Sequence, residues 1–415
     1  MVTGSLGFPV SVQRVAVISL HTSPLAQPGS GDSGGMNVYV RELVSSLAQG
    51  GIDCTTYTRA DRPGLPEVVQ IEPGHRVVHV HAGAYDLAKE DLPSVVDEFT
   101  EGVRRHLDGE FPADVLHANY WLSGLVAHRL KHERDLPFVT TFHTLARVKA
   151  EGGDHEPAWR EQAEAEIIGC ADAICVNCVE EERQFRRLYG DPFGRIEVIA
   201  PAVEHAFFAP GDRAGARRAL ELADDVPVVL FVGRIQPLKG PDVAVRSLAA
   251  MHRRDARLLI VGGASGAEGA LELQRVCSLV TDLGLTDRVR VVAPQPHHIL
   301  STYYRAADAV VVPSRSESFG LVALEASACG VPVVASAVGG LLTLVEHGHS
   351  GFLVPDRDPL VFARYLDLLL DDPELAARLG RRGHERSLSY TWGLAAARLR
   401  RVYADLAVRE LVACG

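Results

Sequence analysis

Short apolar runs rich in β-branched residues alternate with helix-forming segments along nearly the whole chain, and this alternation restricts the possible folds more than any other feature. The run at 309–312 is typical, because it is short, apolar and bounded, as a strand buried inside a parallel sheet should be. A serine-containing turn follows it, and then a helix-forming segment at 321–328. Repeated strand–helix units of this kind predict an α/β protein with doubly wound parallel sheets.

The alternation falls into two series, separated by a segment rich in proline and glycine at 201–211 and a charged helix predicted at 212–222. With 415 residues the chain is long enough for two domains, each with its own core. The natural ligand site is then the cleft between the two domains. The predicted strands are 14–20, 53–58, 77–81, 114–116, 138–142, 173–177 and 196–200 in the first series, and 227–233, 256–261, 289–292, 309–312 and 331–335 in the second.

Composition and charge argue against several classes of protein. A hydrophobic content of 47% and a charged content of 23% are typical of a soluble globular protein. The net charge is −11 and no basic block occurs, which argues against nucleic acid as the main partner. No run reaches the roughly 18 apolar residues of a membrane span, and residues 1–13 lack the features of a signal peptide. A cytoplasmic protein without a membrane partner is expected.

The cysteines indicate neither a disulfide framework nor a metal site. They are odd in number and scattered, so a disulfide framework is not expected. Cys175 and Cys178 have the spacing of a metal-binding pair, but they lie in an apolar, strand-like run and no second pair occurs. The seven cysteines are Cys54, Cys170, Cys175, Cys178, Cys277, Cys329 and Cys414.

Two glutamates follow the strand predicted at 309–312. Glu317 lies in the turn at the carboxyl end of the strand, where open α/β sheets bind ligands, and Glu325 lies about two turns further on, in the helix. The carboxylate of Glu317 can accept hydrogen bonds from sugar hydroxyls, and that of Glu325 can reach a ribose diol. The backbone N–H groups of 319–321 would face an anion such as a diphosphate. The simpler interpretation is a strand–turn–helix unit with incidental glutamates.

Other strand ends of the second series also carry residues suited to a ligand. Gly233 and Arg234 end the first strand of this series, with Lys239 five residues further on. Arg234 can bind phosphate oxygens in a fork and Lys239 can add a point charge, as a leaving nucleoside diphosphate requires. Gly263 ends the next strand and permits close approach of a nucleotide. The alternative is a set of surface cations beside a turn.

The first series offers a glycine-rich loop and a polar rim. The loop at 21–37 contains Gly34 and Gly35, which leave space for a phosphate, and the helix after it is predicted to begin at about residue 38. Its spacing is not that of a dinucleotide-binding motif, and a plain surface loop is the alternative. The rim suggests a pocket for an anionic, hydroxylated molecule, although its cations could equally form a solvated face. The rim residues are Tyr120, His143 and Thr144, and the cations Lys89 and Arg160 lie on neighbouring loops.

The pair Glu317 and Glu325 forms an E-x7-E motif that, with Gly233-Arg234 and Lys239, resembles the signature of retaining GT-B glycosyltransferases of family four. The resemblance extends from about residue 14 to about residue 406. It implies two Rossmann-like domains facing across a cleft, at 1–205 for the acceptor and 206–390 for the nucleotide-sugar, and a terminal helix at about 391–411 that crosses back to the first domain. It also implies front-face transfer with retention of configuration, no catalytic metal and no cofactor besides the donor.

Four further stretches resemble the branch of this family that acts in mycothiol synthesis: 21–29, 34–40, 120–124 and 143–149. That branch transfers N-acetylglucosamine from UDP-GlcNAc to 1L-myo-inositol 1-phosphate, also called 1D-myo-inositol 3-phosphate. The resemblance therefore implies a small-molecule donor and a small-molecule acceptor, and it suggests a homodimer.

The resemblance also implies roles for individual residues. The acceptor phosphate would be held by Lys89, Tyr120, Thr144 and Arg160, and the acceptor ring by Asn37 and His143. The catalytic set would be His143, Arg234, Lys239 and Glu317. The donor would be bound by Gly34, Gly35, Gly233, Arg234, Lys239, Gly263, Glu317, Ser318, Phe319, Gly320, Leu321 and Glu325.

Three segments depart from the pattern of the family, at 84–89, 151–159 and 201–204. They leave open a paralogue that glycosylates another small acceptor, such as a natural-product sugar, a small thiol or a sugar phosphate. The donor base is open as well, between UDP and GDP, because the base is held largely by backbone groups in this fold. A nucleotide-sugar epimerase and a sugar-binding protein without activity are the alternatives from other classes.

Overall fold

The computed structural model describes residues 12–29, 33–153, 156–266 and 269–414. Parts of three sequence interpretations lie outside these ranges: most of the segment at 1–13, the middle of the loop at 21–37, and two residues of the segment at 151–159. Within the described part, no helix is both long and apolar enough to cross a bilayer.

Strands and helices alternate through most of the described chain. The strands are β1 (Arg14–Ile18), β2 (Asp53–Arg59), β3 (Val68–Glu72), β4 (His75–Val80), β5 (Val115–Asn119), β6 (Phe138–Thr141), β7 (Ala173–Val176), β8 (Arg195–Val198), β9 (Val228–Val232), β10 (Arg257–Val261), β11 (Val289–Val292), β12 (Ala309–Val312), β13 (Val333–Ser336) and β14 (Gly351–Val354). The helices are α1 (Gly35–Gln49), α2 (Val96–Asp108), α3 (Trp121–Arg134), α4 (Ala146–Glu151), α5 (Ala158–Cys170), α6 (Val179–Tyr189), α7 (Arg213–Ala219), α8 (Pro241–Ala250), α9 (Gly269–Asp282), α10 (Leu300–Ala306), α11 (Leu321–Ala328), α12 (Leu341–Leu344), α13 (Pro359–Asp371), α14 (Pro373–Ser387) and α15 (Trp392–Leu406). Short 3₁₀ helices occur at Lys89–Val95, Pro237–Lys239 and His297–Ile299.

The strands form two sheets, one in each half of the chain. The first has the order β3-β4-β2-β1-β5-β6-β7-β8 and the second has the order β11-β10-β9-β12-β13-β14. Every pairing is parallel except that of β3 with β4. The predicted α/β class with two doubly wound sheets is confirmed, and the predicted division at 205/206 falls in the segment between β8 and α7.

Each of the twelve predicted strands is present; β11 and β12 have the predicted bounds and the others have ends shifted by a few residues. Two strands of the described chain, β3 and β14, were not predicted. β3 is the antiparallel edge strand, and its side chains are exposed or half-buried, so it lacks the continuous apolar run of an inner strand. β14 is four residues long and begins with glycine, so its run of apolar residues is too short to indicate a strand.

Both faces of each sheet carry a hydrophobic core, because successive side chains of a strand point to opposite faces. In β1, Ala16 and Ile18 pack into one core, and Val15 and Val17 pack into the other. The inner strand β9 divides in the same way between two cores of the second sheet. Burial on both faces is the reason that these strands are apolar throughout.

Helix α15 returns from the second half of the chain to the first sheet. Its apolar side chains join the core that contains β1, and Trp392 lies edge-on to Tyr39 of α1 with ring centroids 5.9 Å apart. The hydroxyl of Tyr403 lies 2.6 Å from Nδ1 of the buried His117 in β5. The prediction that this helix continues to about residue 411 is wrong, because it ends at Leu406. The chain then turns, and the N–H of Val412 donates to Asp172 at 2.7 Å.

One cysteine pairing was not expected from the sequence. The sulfur atoms of Cys170, at the end of α5, and Cys414, in the carboxyl-terminal tail, lie within bonding distance, with their Cα atoms 5.1 Å apart. The two residues are separated by 244 positions in the chain, so spacing alone could not indicate the pair. The other five cysteines are free, and Cys175 and Cys178 are both buried.

Candidate active site

The loops that carry most of the predicted site residues follow strands at the switch points of the two sheets. Strand order reverses between β1 and β5 in the first sheet, and between β9 and β12 in the second. Open α/β sheets bind ligands outside the carboxyl ends of the strands at such points. Gly34 and Tyr120 follow β1 and β5, while Arg234 and Glu317 follow β9 and β12.

These loops meet in a cavity of about 280 Å³ that is lined by both halves of the chain. Two contacts join the halves beside it: the hydroxyl of Ser318 donates to the backbone carbonyl of His143, and the amide of Gln27 donates to the carbonyl of Pro294 at 3.2 Å. Most of the predicted donor residues, with His143 and Thr144, line the cavity. The predicted residues outside its lining are Gly263, Asn37, Lys89, Tyr120 and Arg160.

Glu317 is held at the cavity by two neighbours. Lys239, in the 3₁₀ turn after β9, places its ammonium 2.7 Å from Oε2 of Glu317, and the hydroxyl of Ser314 donates to the same oxygen at 3.2 Å. Both members of the ion pair are about one-fifth exposed. The other carboxylate oxygen, Oε1, is left to accept hydrogen bonds from a ligand.

Two helix N-termini approach each other across the cavity. Helix α1 begins at Gly35 and helix α11 begins at Leu321, and a Cβ atom on Gly35 would lie 3.1 Å from the side chain of Leu321. The first N–H groups of a helix have no acceptor within the helix and carry partial positive charge. A Cβ on Gly34 would lie 3.3 Å from Nε of Arg234. The cavity is therefore electropositive at this end, as a diphosphate site must be.

Helix α1 begins three residues earlier than predicted, which changes the position of Asn37. The side-chain oxygen of Asn37 accepts from the N–H of Gly34 at 2.9 Å, and its amide nitrogen donates to the hydroxyl of Thr22 at 2.8 Å and to the carbonyl of Ser23. These bonds cap the helix in place of a Ser or Thr and fix the loop after β1. Asn37 is 2% exposed, so in this structure its side chain holds the loop.

The carboxylate of Glu325 has a partner on each oxygen. Nε2 of His297 lies 2.7 Å from Oε1, and the hydroxyl of Tyr304 donates to Oε2 at 2.7 Å. Burial opposes protonation of His297, but the charge of Glu325 prevails and raises the pKa of this histidine. Each carboxylate oxygen has a second lone pair, so Glu325 can still accept a hydrogen bond from a ligand hydroxyl.

Gly263 allows two loops to lie close together. A Cβ at this position would lie 2.8 Å from the carbonyl oxygen of Gly29 and 2.7 Å from Cγ of Pro294. Only a glycine lets the loop after β1 lie this close to the second half of the chain. The neighbouring Gly262 lines the cavity instead.

Beyond the cavity, a group of cations surrounds the ring of Tyr120. The ammonium of Lys89 lies 5.8 Å from the ring centre, and the guanidinium of Arg160 lies 5.2 Å from it. Tyr120 adopts φ 77° at the start of α3, which turns its side chain at the strand end. Arg160 also donates to the carbonyl and hydroxyl of Thr144, at 3.2 Å and 3.3 Å. Four predicted acceptor residues are thus together.

Arg160 is engaged by two carboxylates. It pairs with Glu156 and Glu164, each at 2.9 Å, and its side chain is 2% exposed. Lys149, which lines the cavity, also pairs with Glu156. The two carboxylates hold the guanidinium of Arg160 in one orientation, so a ligand phosphate at Tyr120 would contact an arginine that is already positioned.

His143 lies between the two groups of residues and is uncharged. Its φ is 61°, and its Nε2 lies 2.9 Å from the side-chain oxygen of Asn119, which can only accept a hydrogen bond. Burial lowers the pKa of His143 to about 3. Nε2 therefore carries the proton and Nδ1 can accept a hydrogen bond.

His21 is a site residue that sequence reasoning missed. Both of its ring nitrogens are buried and have no hydrogen-bond partner among the described residues. Its ring lies 4.9 Å from that of Tyr120. Burial lowers the pKa of His21 to about 3, and the charges of Lys89, Arg234 and Arg160 act in the same direction. A buried polar group without a partner costs about 1–3 kcal/mol, so a hydrogen bond from a ligand to the ring of His21 would be stabilising.

Lys149, His297 and Tyr304 were also missed. A signal for Lys149 is present in the composition: the chain has only four lysines among 42 basic residues, at 89, 131, 149 and 239. Three of the four lie at the cavity or beside Tyr120. His297 and Tyr304 bond to Glu325 from 28 and 21 positions away, and no sequence motif indicated these hydrogen bonds.

Both halves of the chain are similar to known glycosyltransferases. The family described as "Glycosyl transferase 4-like domain" matches residues 34–202 of this chain, and the family described as "Glycosyl transferases group 1" matches residues 212–386. The chain is 46% identical over 409 residues to D-inositol 3-phosphate glycosyltransferase of Thermobispora bispora, with 95% of both chains covered. It is also 46% identical over 426 residues to the protein of the same name in Acidothermus cellulolyticus, with 99% of this chain and 95% of that chain covered.

Solved structures show the same architecture. Sucrose-phosphate synthase from Thermosynechococcus elongatus superposes with a TM-score of 0.90 at 35% identity, covering 95% of this chain and 99% of the other. Anabaena HepE in complex with UDP and glucose superposes with a TM-score of 0.77 at 18% identity, covering 95% and 100%. The second similarity is one of fold alone.

Proposed function

The chain belongs to the GT-B glycosyltransferases, in the family of the D-inositol 3-phosphate glycosyltransferases of the mycothiol pathway, and we propose that it transfers N-acetylglucosamine from UDP-GlcNAc to 1D-myo-inositol 3-phosphate. The observation that carries this proposal is the presence of two groups of cations in one cleft. Arg234 and Lys239 lie at the cavity, and Lys89 and Arg160 lie at the ring of Tyr120. An enzyme that joins a nucleotide-sugar to a phosphorylated acceptor has to bind two separate anions.

Support for a nucleotide-sugar comes from the cavity end beside Arg234. The N-termini of α1 and α11, with Arg234 and Lys239, would surround the diphosphate. Glu317 would accept hydrogen bonds from the sugar hydroxyls through Oε1, while Lys239 holds the carboxylate in place. Glu325 would accept from the ribose diol at the far end, where His297 and Tyr304 hold it.

Support for a phosphorylated acceptor comes from the surroundings of Tyr120. Lys89 and Arg160 lie over its ring, and the orphaned ring nitrogens of His21 are adjacent. A phosphate beside Tyr120 would meet Lys89, Arg160 and the hydroxyl of Thr144. The ring hydroxyls of an inositol would then satisfy His21, and Nδ1 of His143 would lie between acceptor and donor.

The proposed reaction proceeds on one face of the sugar. The bond between the anomeric carbon and the diphosphate oxygen breaks, the acceptor hydroxyl oxygen bonds to the same carbon, and its proton passes to the departing diphosphate. Arg234, Lys239 and the two helix N-termini stabilise the charge that develops on the leaving group. They supply the positive charge that a metal ion provides in other transferases, so we propose that the reaction needs no metal. The configuration of the anomeric carbon is retained.

The test is release of UDP from UDP-GlcNAc by the full-length protein, with and without 1D-myo-inositol 3-phosphate. Unphosphorylated myo-inositol and fructose 6-phosphate serve as control acceptors, and UDP-glucose and GDP-sugars as control donors. We expect release that depends on the inositol phosphate and on UDP-GlcNAc, an α-linked product by NMR, and the same rate with a chelator present.

Two outcomes would contradict the proposal. Faster release with another donor or acceptor would leave the glycosyltransferase fold in place but assign the chain to a different reaction. Epimerisation of UDP-GlcNAc without transfer, or binding without turnover, would favour the epimerase or the sugar-binding protein.

A further inference from the structure

Four side chains with soft or borderline metal-ligand atoms meet at the carboxyl-terminal end of α3, away from the cleft. His128 and His132 lie one turn apart on α3, Cys170 ends α5, and Cys414 belongs to the tail after α15. Their ligand atoms all lie within 4.8 Å of one another. Three segments that are distant in sequence therefore place two imidazoles and two thiols at one point.

The separations of these atoms fit a tetrahedral metal site. Zinc bonds of about 2.0–2.1 Å to nitrogen and about 2.3 Å to sulfur place two nitrogens about 3.3 Å apart, and a nitrogen and a sulfur about 3.6 Å apart, around one ion. Nε2 of His132 lies 3.1 Å from Nε2 of His128, 3.5 Å from Sγ of Cys170 and 3.4 Å from Sγ of Cys414. The two sulfurs, which lie within bonding distance of each other, would have to separate to about 3.8 Å.

The backbone around the four side chains is fixed by a buried ion pair. Lys131, between the two histidines, donates to the carbonyl of Cys170 and to Oδ1 of Asp172, both at 2.8 Å, and this pair is at most 6% exposed. The same Oδ1 accepts from the N–H of Val412 at 2.7 Å. One carboxylate thus holds the segments on which Cys170 and Cys414 lie. This arrangement organises the site before any ion is bound.

The charges also suit a divalent ion. Two thiolates with two neutral imidazoles neutralise one divalent ion completely, which permits a site that is half-buried.

We propose that, with both thiols reduced, His128, His132, Cys170 and Cys414 form a structural zinc-binding site that clamps the carboxyl-terminal tail to helices α3 and α5. The metal and the disulfide exclude each other, because a sulfur in an S–S bond is no longer a thiolate. The disulfide forms when the two thiolates give two electrons to an oxidised disulfide reagent, such as oxidised glutathione. That reagent takes two protons and becomes two thiols, and the zinc ion leaves.

The site lies far enough from the cleft to be structural. At 1.5 Å per residue, His128 is about 10 Å and His132 about 16 Å along α3 from Trp121, which follows Tyr120. Loss of the ion should therefore release the tail and lower thermal stability while leaving the catalytic residues in place. This effect separates the site from the proposed glycosyl transfer, which can fail or succeed without it.

The experiment is a metal titration of the reduced, chelator-treated full-length protein. We expect one equivalent of Zn²⁺ per chain, and with Co²⁺ the visible absorption of a tetrahedral site together with thiolate-to-cobalt charge transfer. Cys414→Ser and His132→Asn should weaken Zn²⁺ binding more than about 100-fold, beyond the effect of second-sphere changes. Cys277→Ser, which removes an exposed free thiol elsewhere, is the matched control and should bind like the parent.

The outcomes decide between a metal site and a plain disulfide. Oxidised glutathione should release the bound zinc and remove two thiols per chain from alkylation. If the reduced parent binds no stoichiometric zinc, or Cys414→Ser binds it as tightly as the parent, the proposal is wrong. Circular dichroism of Cys414→Ser checks that a loss of binding is not a loss of folding.

Discussion

At the scale of single residues, the site consists of charged groups held by partners before any substrate arrives. Lys239 holds Glu317, His297 and Tyr304 hold Glu325, and Glu156 with Glu164 holds Arg160. Groups fixed in this way need little reorganisation when charge develops in the transition state, which is where electrostatic catalysis gains most. His21 is the exception, because its ring nitrogens have no partner in the described chain.

Glu317→Ala should lower kcat/KM at least ~100-fold, because the sugar loses its acceptor and Lys239 loses the partner that positions it. The measurement is steady-state UDP release, with circular dichroism to check the fold. Glu346→Ala, which removes an exposed carboxylate outside the cavity, is the control and should keep full activity. Normal turnover by Glu317→Ala would refute the assignment of the donor site.

His117→Gln tests the cost of a buried neutral histidine. Burial lowers the pKa of His117 to about 3, against about 6.5 in an unfolded chain. Between these values the unfolded state binds a proton that the folded state does not, so the free energy of unfolding decreases as pH falls, by up to about 1.4 kcal/mol per unit. The variant loses the hydrogen bonds to Tyr403 and Thr141, so its free energy of unfolding should be lower than that of the parent at pH 7.5. This difference should become smaller towards pH 5, because only the parent loses stability through His117 as the pH falls.

Urea denaturation across this pH range measures the gap. His349→Gln changes an exposed histidine and is the control. The difference in free energy of unfolding between this variant and the parent should not change with pH. A gap between His117→Gln and the parent that stays constant with pH would contradict the assignment of His117 as a neutral residue in the folded protein.

At the scale of elements, the strands and most helices could be predicted because their signals are local. A run such as Ala309–Val312 shows its burial in its own composition, and α11 was predicted with the bounds that the structure has. Elements whose form depends on distant partners were not. β3 needs its antiparallel neighbour, and the start of α1 depends on Asn37 acting as a cap.

The same reason separates the predicted from the missed site residues. Glu317, Arg234 and Lys239 stand at strand ends that the chain marks with glycine, proline and serine, so their place on the rim followed from order alone. His297 and Tyr304 gain their roles only from contacts with Glu325, which lies 28 and 21 positions away. The Cys170–Cys414 pair spans 244 positions, a distance over which sequence spacing carries no information.

Helix α15 should contribute substantially to the stability of the first half of the chain. Leu399→Ala removes a fully buried side chain from the core shared with β1 and α1, and we expect it to lower the free energy of unfolding by about 2–4 kcal/mol. Leu394→Ala makes the same change at a position of the same helix that is 43% exposed, and should cost far less. Thermal and urea denaturation measure both. Equal losses would show that α15 is not held by its buried face.

At the scale of the whole molecule, the two halves meet at the reacting groups. Ser318 of the second half donates to the carbonyl of His143 in the first, and Gly263 lets the loop after β1 approach Pro294. A third connection runs through α15, which begins after the second half and packs on the first sheet. Under the proposed function the substrates bind between the two halves, so we expect the halves to close on them, as in other enzymes with a cleft.

The central claim is that the cleft binds two anions through separate cations, and bisubstrate kinetics of Lys89→Ala test it most directly. We expect the KM for 1D-myo-inositol 3-phosphate to rise about 10-fold to 100-fold, because a charge-assisted contact to the phosphate is lost, while the KM for UDP-GlcNAc stays nearly constant. Arg62→Ala, an exposed cation outside the cavity, should change neither value. An unchanged acceptor KM in Lys89→Ala, or an equal rise for both substrates, would contradict the claim.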